Sequence, residues 1–128
     1  MKTKTITMVL EKTGTGYSAY SSKFPIFTTG GSMVELLANA YEAVKLFYED
    51  DNLAISPDDI KFEIDFQQFF QYYRVLNSKF LAERIGMNPT LLSQYVQGHK
   101  KPSEDQKNKI LAGIQQIGKE LSEISLLL

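Results

Sequence analysis

Residues 78–103 carry the sequence SKFLAERIGMNPTLLSQYVQGHKKPS, whose capping residues and apolar spacing indicate how the second half of the chain folds. Ser78 is a residue type that caps helix N-termini, and the apolar positions after it recur at helical spacing. The positions expected to face a core are Phe80, Leu81 and Ile85. Gly86 ends this helix, because glycine accepts the left-handed backbone that lets the chain turn sharply.

A second helix begins directly after this turn. Asn88 is a favourable N-cap, and Pro89 suits the first helical position, where a missing N–H group costs nothing. Gly98 ends the helix, and the expected buried stripe consists of Leu92, Tyr95 and Val96. Two short helices joined by a tight turn of three or four residues predict a helix-turn-helix.

The remaining side of the second helix is polar but uncharged. Glutamine can hydrogen-bond to adenine in the major groove of DNA, threonine can donate or accept through its hydroxyl, and leucine can contact a thymine methyl group. The predicted base-reading residues are Thr90, Leu91 and Gln94. This pattern is typical of a recognition helix.

Positive and polar side chains flank this helix, where contacts to DNA phosphates set the register of a bound protein. The predicted phosphate-contacting residues are Ser78, Lys79, Asn88, Gln97, His99, Lys100 and Lys101. Because His99 is the only histidine and the chain has no cysteine, we expect no metal site and no cofactor.

The flanking segments also have helical periodicity. Upstream, Phe69, Phe70, Tyr73 and Leu76 predict a first helix that starts at about residue 66 and ends at 77–78. Downstream, Ser103 and Gln106 form a capping-box pattern at the start of a last helix. We therefore expect an all-α domain over residues 66–128.

The last helix carries apolar residues at alternating steps of three and four, which is the pattern of a coiled-coil seam. The seam residues are Ile110, Ile114, Ile117, Leu121, Ile124 and Leu128. Such a seam can join two copies of the chain, or it can pack against the first helix of its own domain. Both interpretations remain open, and a homodimer or higher oligomer is the expectation carried forward.

Residues 1–65 have a mainly strand-like pattern. Residues 4–11 alternate and predict a first strand, a glycine turn at 14–16 leads into a second strand at 17–21, and a short third strand is expected at 26–29. A helix over residues 33–49 begins with a capping box at Ser32 and Glu35. Its expected apolar face is Met33, Leu37, Ala40, Val44 and Phe47 or Tyr48. The alternating IKFEIDF, residues 60–66, predicts a fourth strand, so the class is α+β, with one helix over a largely antiparallel sheet.

The two halves differ in charge. Residues 1–65 contain six Lys/Arg and ten Asp/Glu, a net charge of −4, whereas residues 66–128 contain eight and five, a net charge of +3. A basic half suits a polyanion, and an acidic half suits a basic partner.

The acidic residues occupy caps, a helix end, a loop and a strand face without any histidine nearby in sequence, so we expect no catalytic residues and no enzyme activity. Without a leader or long apolar run, the expected location is the cytoplasm, not a membrane.

Residues 78–103 resemble the lambda-repressor-type helix-turn-helix of phage repressors and antitoxins. The residues at the pattern positions are Ala82, Gly86, Leu92, Ser93, Gly98, Pro102 and Ser103. The resemblance implies sequence-specific binding of operator double-stranded DNA, which would place the protein at the bacterial nucleoid. The chain departs from the pattern at Pro89, where the family often has a polar base-reading residue, so Thr90, Leu91 and Gln94 carry more of that role.

Residues 16–50 are similar to the N-terminal domain of HicB-type antitoxins. The matching residues are Tyr17, Ala19, Pro25, Thr29, Gly31, Ser32, Glu35, Asn39, Ala40, Glu42 and Ala43. The resemblance implies a partial RNase H-like fold of ββ β-α-β order without nuclease activity. It also implies a partner, a HicA-like toxin, which is a small basic protein that cleaves mRNA.

The expected function is that of a type II toxin–antitoxin system antitoxin. Residues 1–65 would neutralise the toxin, and residues 66–128 would repress the operon that encodes both proteins. The alternative is a ligand-responsive transcriptional repressor without a toxin partner, and a degenerate nuclease is a third hypothesis. A basic ribonuclease encoded next to this chain would favour the antitoxin, and a ligand that changes operator affinity would favour the alternative.

Overall fold

A computed structural model describes residues 5–127. The chain divides between Tyr72 and Tyr73 into two compact units. The first contains β1 (Ile6–Thr13), β2 (Gly16–Ser21), β3 (Phe27–Gly30), α1 (Met33–Phe47), β4 (Ile60–Ile64) and α2 (Phe66–Tyr72); the second contains α3 (Ser78–Ile85), α4 (Pro89–Val96) and α5 (Glu104–Glu123). The predicted α+β class and the order of strands and first helix are confirmed. Within the described residues, no helix has both the length and the apolar character needed to cross a membrane.

The sheet of the first unit has the strand order β3-β2-β1-β4. β1 pairs antiparallel with β2, and β2 pairs antiparallel with β3, whereas β1 and β4 are parallel. The parallel pair arises because α1 carries the chain back across the sheet before β4 begins. The sheet is therefore mixed, with antiparallel pairing only on the β3 side.

Helix α1 covers one face of this sheet. Its N-cap is Ser32, whose hydroxyl accepts a hydrogen bond from the backbone N–H of Glu35 at 3.2 Å. The buried face consists of Leu36, Ala40 and Val44, and Leu36 and Val44 share a buried core cluster with Ile6, Met8 and Leu10 of β1. The prediction of Leu37 as a core residue was wrong, since its side chain is 40% exposed and that of Leu36 is fully buried. Residues 36, 40 and 44 lie at i, i+4 spacing, so they share one side of the helix.

Helix α2 belongs to the first unit in the structure. It ends at Tyr72 instead of continuing to residue 76, and it packs against β1. The side chain of Gln68 accepts a hydrogen bond from the backbone N–H of Lys12 at 3.0 Å and donates one to the carbonyl of Lys12 at 2.7 Å. These bonds satisfy backbone groups near the end of β1, which explains why the compact units divide after this helix and not between residues 65 and 66.

The second unit is a three-helix cluster with a core of its own. Its buried residues are Leu81, Ala82, Met87, Leu92, Tyr95, Ile110 and Gly113. Two expectations for α3 were wrong: the N-cap is Asn77 and not Ser78, and the side chain of Phe80 is 62% exposed. Asn77 accepts the hydrogen bond from the backbone N–H of Phe80 at 3.2 Å, which leaves Ser78 as the first helical residue.

The close approach of α3 and α5 depends on Gly113. A Cβ atom at this position would lie 2.3 Å from Cγ2 of Ile85 and 3.6 Å from Cδ1 of Leu81. Farther along the pair, an ion pair between Arg84 and Glu120 joins the two helices at the surface. The core contact and the surface ion pair together fix the position of α3 relative to α5. They therefore also fix the position of the turn that leads from α3 to α4.

Candidate nucleic-acid interface

The start of α4 is determined by a turn that satisfies its own backbone. Gly86 has φ 71°, a left-handed conformation, and the backbone N–H of Met87 donates to the carbonyl of Ala82 at 2.9 Å. The side-chain oxygen of Asn88 then accepts from the N–H groups of Thr90 and Leu91 at 2.8 and 3.3 Å. Since these contacts fix the chain direction, the first turn of α4 has a defined orientation relative to α3.

Helix α4 buries one side and leaves the other accessible. Leu92 and Tyr95 are buried, while Val96, the third residue of the predicted stripe, is half-buried. Of the predicted base-reading residues, Thr90 is exposed and both Leu91 and Gln94 are half-buried. All the base-reading candidates therefore lie on one short helix and outside its buried core, with Thr90 and Leu91 in the first turn and Gln94 one turn later. A hydroxyl, a methyl-bearing side chain and an amide are the groups that distinguish base edges in a groove.

The C-terminal end of α4 places the basic segment 99–101. Gly98 adopts φ 78°, which reverses the chain after the helix. The backbone N–H groups of His99 and Lys100 then donate to the carbonyl of Gln94 at 2.9 and 3.3 Å. These bonds hold the segment 99–101 next to Gln94, which is a base-reading candidate. The side chains of His99, Lys100 and Lys101 are exposed there, beside the end of α4.

The other predicted phosphate contacts are spread around the same helix pair. Lys79 and Gln97 are exposed, and Ser78 is half-buried in the first turn of α3. Asn88 is also exposed, but its side-chain oxygen is used by the cap, which leaves its amide N–H groups for a ligand. Neutral donors of this kind can hold a phosphate when cations lie nearby.

One cation near this site was not found from the sequence. Lys109 of α5 donates from its Nζ to the carbonyl of Gly86 at 3.4 Å, so its charge lies at the turn between α3 and α4. The two residues are far apart along the chain, and no local motif signals the contact. Lys109 is therefore a further candidate for contacting a polyanion that reaches the start of α4.

The predicted seam on α5 is not a continuous exposed stripe. Ile110 is fully buried in its own unit and cannot be a dimer contact as the chain is folded. Ile114 and Ile117 are half-buried, whereas Leu121 and Ile124 are 59% and 50% exposed. Leu128 lies outside the described residues. The start of the helix packs within its own unit, but against α3 and not against the first helix that was expected, and an apolar surface remains toward its end.

The first unit presents an acidic face on the side of the sheet that α1 does not cover. Tyr20 lies there, opposite Val9 of β1 and Phe27 of β3 in the strand register. Burial raises the pKa of the Tyr20 phenol, and the nearby carboxylates of Glu11 and Asp65 raise this pKa further. Among the described residues, no group of His, Asp and Glu side chains is arranged to hold a metal ion. This face therefore combines an apolar strip of Val9, Tyr20 and Phe27 with the negative charge of Glu11 and Asp65.

Comparison of the chain with protein-family models, with curated proteins and with solved structures found no match.

Proposed function

We propose that this protein is an antitoxin that represses its own operon, with α3 and α4 acting as a helix-turn-helix that binds operator DNA. The observation that carries the proposal is the arrangement of α4. Leu92 and Tyr95 of its apolar stripe are buried, while Thr90 is exposed and Gln94 remains partly accessible at the surface of the unit. A short helix anchored on one side and polar on the other fits the major groove of B-form DNA.

The charges around α4 support this assignment. Residues 73–128 carry eight Lys/Arg and five Asp/Glu, and Lys79, Lys100 and Lys101 are exposed near the ends of the helix pair. Their attraction to phosphates supplies affinity on any sequence, and the uncharged side chains of α4 add discrimination between bases. The roles of affinity and specificity are thus assigned to different residues.

The first unit is proposed to bind a HicA-like toxin. A mixed sheet covered by one helix is compatible with the partial RNase H-like fold that the resemblance implies. Residues 1–72 carry a net charge of −4, which complements a small basic ribonuclease. Neutralisation by binding requires no catalytic group in this chain, and the protein would act in the bacterial cytoplasm and on the nucleoid.

The exposed end of α5 is proposed to join two copies of the chain. Leu121 in the last turn of α5 and Ile124 directly after the helix expose large apolar side chains. A two-fold dimer would present two copies of α4 to a palindromic operator, and simultaneous binding raises the affinity of each small domain.

Operator binding tests the DNA assignment through two pairs of variants. Gln94→Ala should reduce the preference for the correct base at one or two operator positions by about 1–3 kcal/mol. Only the base that Gln94 contacts loses a hydrogen bond, so the other positions should be unaffected. Lys100→Ala should weaken binding to all sequences and reduce the salt dependence by about one ion. Gln115→Ala and Lys119→Ala remove the same side-chain types from exposed positions of α5 and should leave binding unchanged.

Fluorescence anisotropy over a series of salt concentrations and single-base operator variants measures these effects. If Gln94→Ala and Lys100→Ala lowered affinity equally on every sequence, the assigned roles would be contradicted. The antitoxin assignment is tested separately, by co-expression with the product of the adjacent gene and purification of a complex. Retention of operator binding without any complex would leave a repressor and exclude the antitoxin.

A further inference from the structure

Strand β4 forms one edge of the sheet and has a sequence that is symmetric in character. Among the described strands, it pairs with β1 alone. Its five residues are Ile60, Lys61, Phe62, Glu63 and Ile64. Read in either direction, the strand has apolar ends, an aromatic centre and charged residues between them, with the sign of the charges exchanged. A strand of this kind is complementary to an antiparallel copy of itself.

The backbone of β4 shows which groups point outward. The N–H of Asp65, the residue after the strand, donates to the carbonyl of Leu10 in β1 at 3.3 Å. Because backbone groups alternate in direction along a strand, those of Lys61 and Glu63 also point toward β1, and those of Phe62 and Ile64 point away from the sheet. The N–H of Ile60 is already bonded to the carbonyl of Pro57, which leaves its carbonyl at the edge.

We propose that two copies of this chain pair through β4 in antiparallel orientation, with Phe62 on the two-fold axis, to form one continuous sheet. Phe62 exchanges both backbone hydrogen bonds with its symmetry mate. The N–H of Ile64 donates to the carbonyl of Ile60 in the other copy. Lys61 of each copy then lies directly opposite Glu63 of the other. This gives two non-hydrogen-bonded pairs whose Cα atoms are about 4.5 Å apart.

The charges select this register over its neighbours. A shift of two residues in one direction would place Lys61 opposite Lys61, and a shift in the other direction would place Glu63 opposite Glu63, so both bring like charges together. A shift of one residue would turn the apolar face of one sheet to the opposite side in the other copy. A lysine on an edge strand usually prevents pairing, but here the glutamate two residues away makes one pairing favourable.

The surroundings of β4 are compatible with this contact. Helix α2 follows the strand directly, and it is tied through Gln68 to Lys12 of β1, the neighbour on the other side. Lys61 is exposed and Phe62 is half-buried, so pairing would cover more of the aromatic ring. This contact is distinct from the apolar end of α5, and it does not rest on the proposed DNA or toxin binding.

Charge reversal in the full-length chain tests the proposal. Lys61→Glu and Glu63→Lys each create two like-charge pairs and should weaken self-association by about tenfold. The double variant Lys61→Glu/Glu63→Lys recreates both opposite pairs and should restore it. The association constant is measured by analytical ultracentrifugation over a concentration series, with circular dichroism to verify folding. All four proteins share the same α5, so an additional contact through that helix does not affect the comparison.

Cysteine cross-linking tests the register directly, since the natural chain has no cysteine. Lys61→Cys and Glu63→Cys are purified separately and oxidised alone or as a mixture. In a dimer of a single variant, the two cysteines would be offset by about 7 Å along the strands, in addition to the distance between the strands, which is too far for a disulfide. Only the mixture should therefore form disulfide-linked dimers. Equal cross-linking in all samples, or a double charge variant that stays as weak as the single ones, would overturn the proposal. Loss of this contact with intact operator binding would leave the proposed function standing.

Discussion

Replacing Gly113 with alanine should destabilise the second unit, although alanine is the better helix former. The added Cβ atom would lie 2.3 Å from Cγ2 of Ile85, where carbon atoms in ordinary contact are about 3.5–4.0 Å apart. Ile85 is β-branched and therefore restricted in its χ1 rotamer, so its methyl group cannot easily turn away. The contact is relieved only if α3 and α5 move apart.

The expected free energies follow from two opposing effects. Alanine in place of glycine in a helix interior stabilises by about 1 kcal/mol, whereas overpacking of a closed core costs about 1–3 kcal/mol. Gly118 lies in the same helix, and a Cβ atom added there would have no neighbouring atom within 4 Å. Gly118→Ala thus receives only the helix-propensity gain, and the difference between the two variants isolates the overpacking cost of about 1–3 kcal/mol.

Urea denaturation measures both variants against the natural chain. The amide NMR signals of α4 report the unfolding of the second unit separately from that of the first. Gly118→Ala should raise the urea midpoint, and Gly113→Ala should lower it or fail to raise it. An equal rise for both variants would refute the close α3–α5 packing on which the orientation of α4 depends.

The first unit allows two more predictions. Gly30→Ala should destabilise this unit by about 3 kcal/mol or more in urea denaturation, because its Cβ would lie 2.5 Å from the backbone N of Leu36, whereas Gly14→Ala, with open space around it, should have little effect. Glu11→Gln should lower the pKa of Tyr20 but leave it above its ordinary value of 10.0, because burial is the larger cause of the rise. Since the raised pKa favours the neutral phenol in the folded state, this contribution to stability is complete below pH 10 and is lost as the pH rises through the folded pKa. An NMR titration of the Tyr20 ring measures the pKa, and a value unchanged by Glu11→Gln would contradict the assigned charge effect.

Near the candidate DNA site, most of what could be predicted depends on neighbours in sequence. Asn88, Pro89 and Gly98 mark the start and end of α4 because caps, proline and left-handed glycine act within a few residues. The N-cap of α3 shows the limit of such signals. Asn77 and Ser78 are both good caps, and local chemistry does not choose between two adjacent residues of this kind.

The misplaced residues were those whose environment comes from distant parts of the chain. Phe80 is apolar and at helical spacing, yet α3 turns it outward because Leu81 faces Gly113 of α5. Lys109 reaches the turn at Gly86 through the same packing. Periodicity identifies an apolar face only to within one residue, so it does not predict which side chain another helix will cover.

Local hydrogen bonding, periodicity and composition were enough to predict the approximate positions of the helices and strands, the α+β class and the separation of acidic from basic residues. The folded chain was needed to show that β4 lies parallel beside β1 at the sheet edge, that α2 belongs with the sheet, and that Ile110 is buried while Leu121 is exposed. These outcomes depend on contacts between residues far apart in the chain. Their free energies are set by how whole surfaces fit together, which no short stretch of sequence encodes.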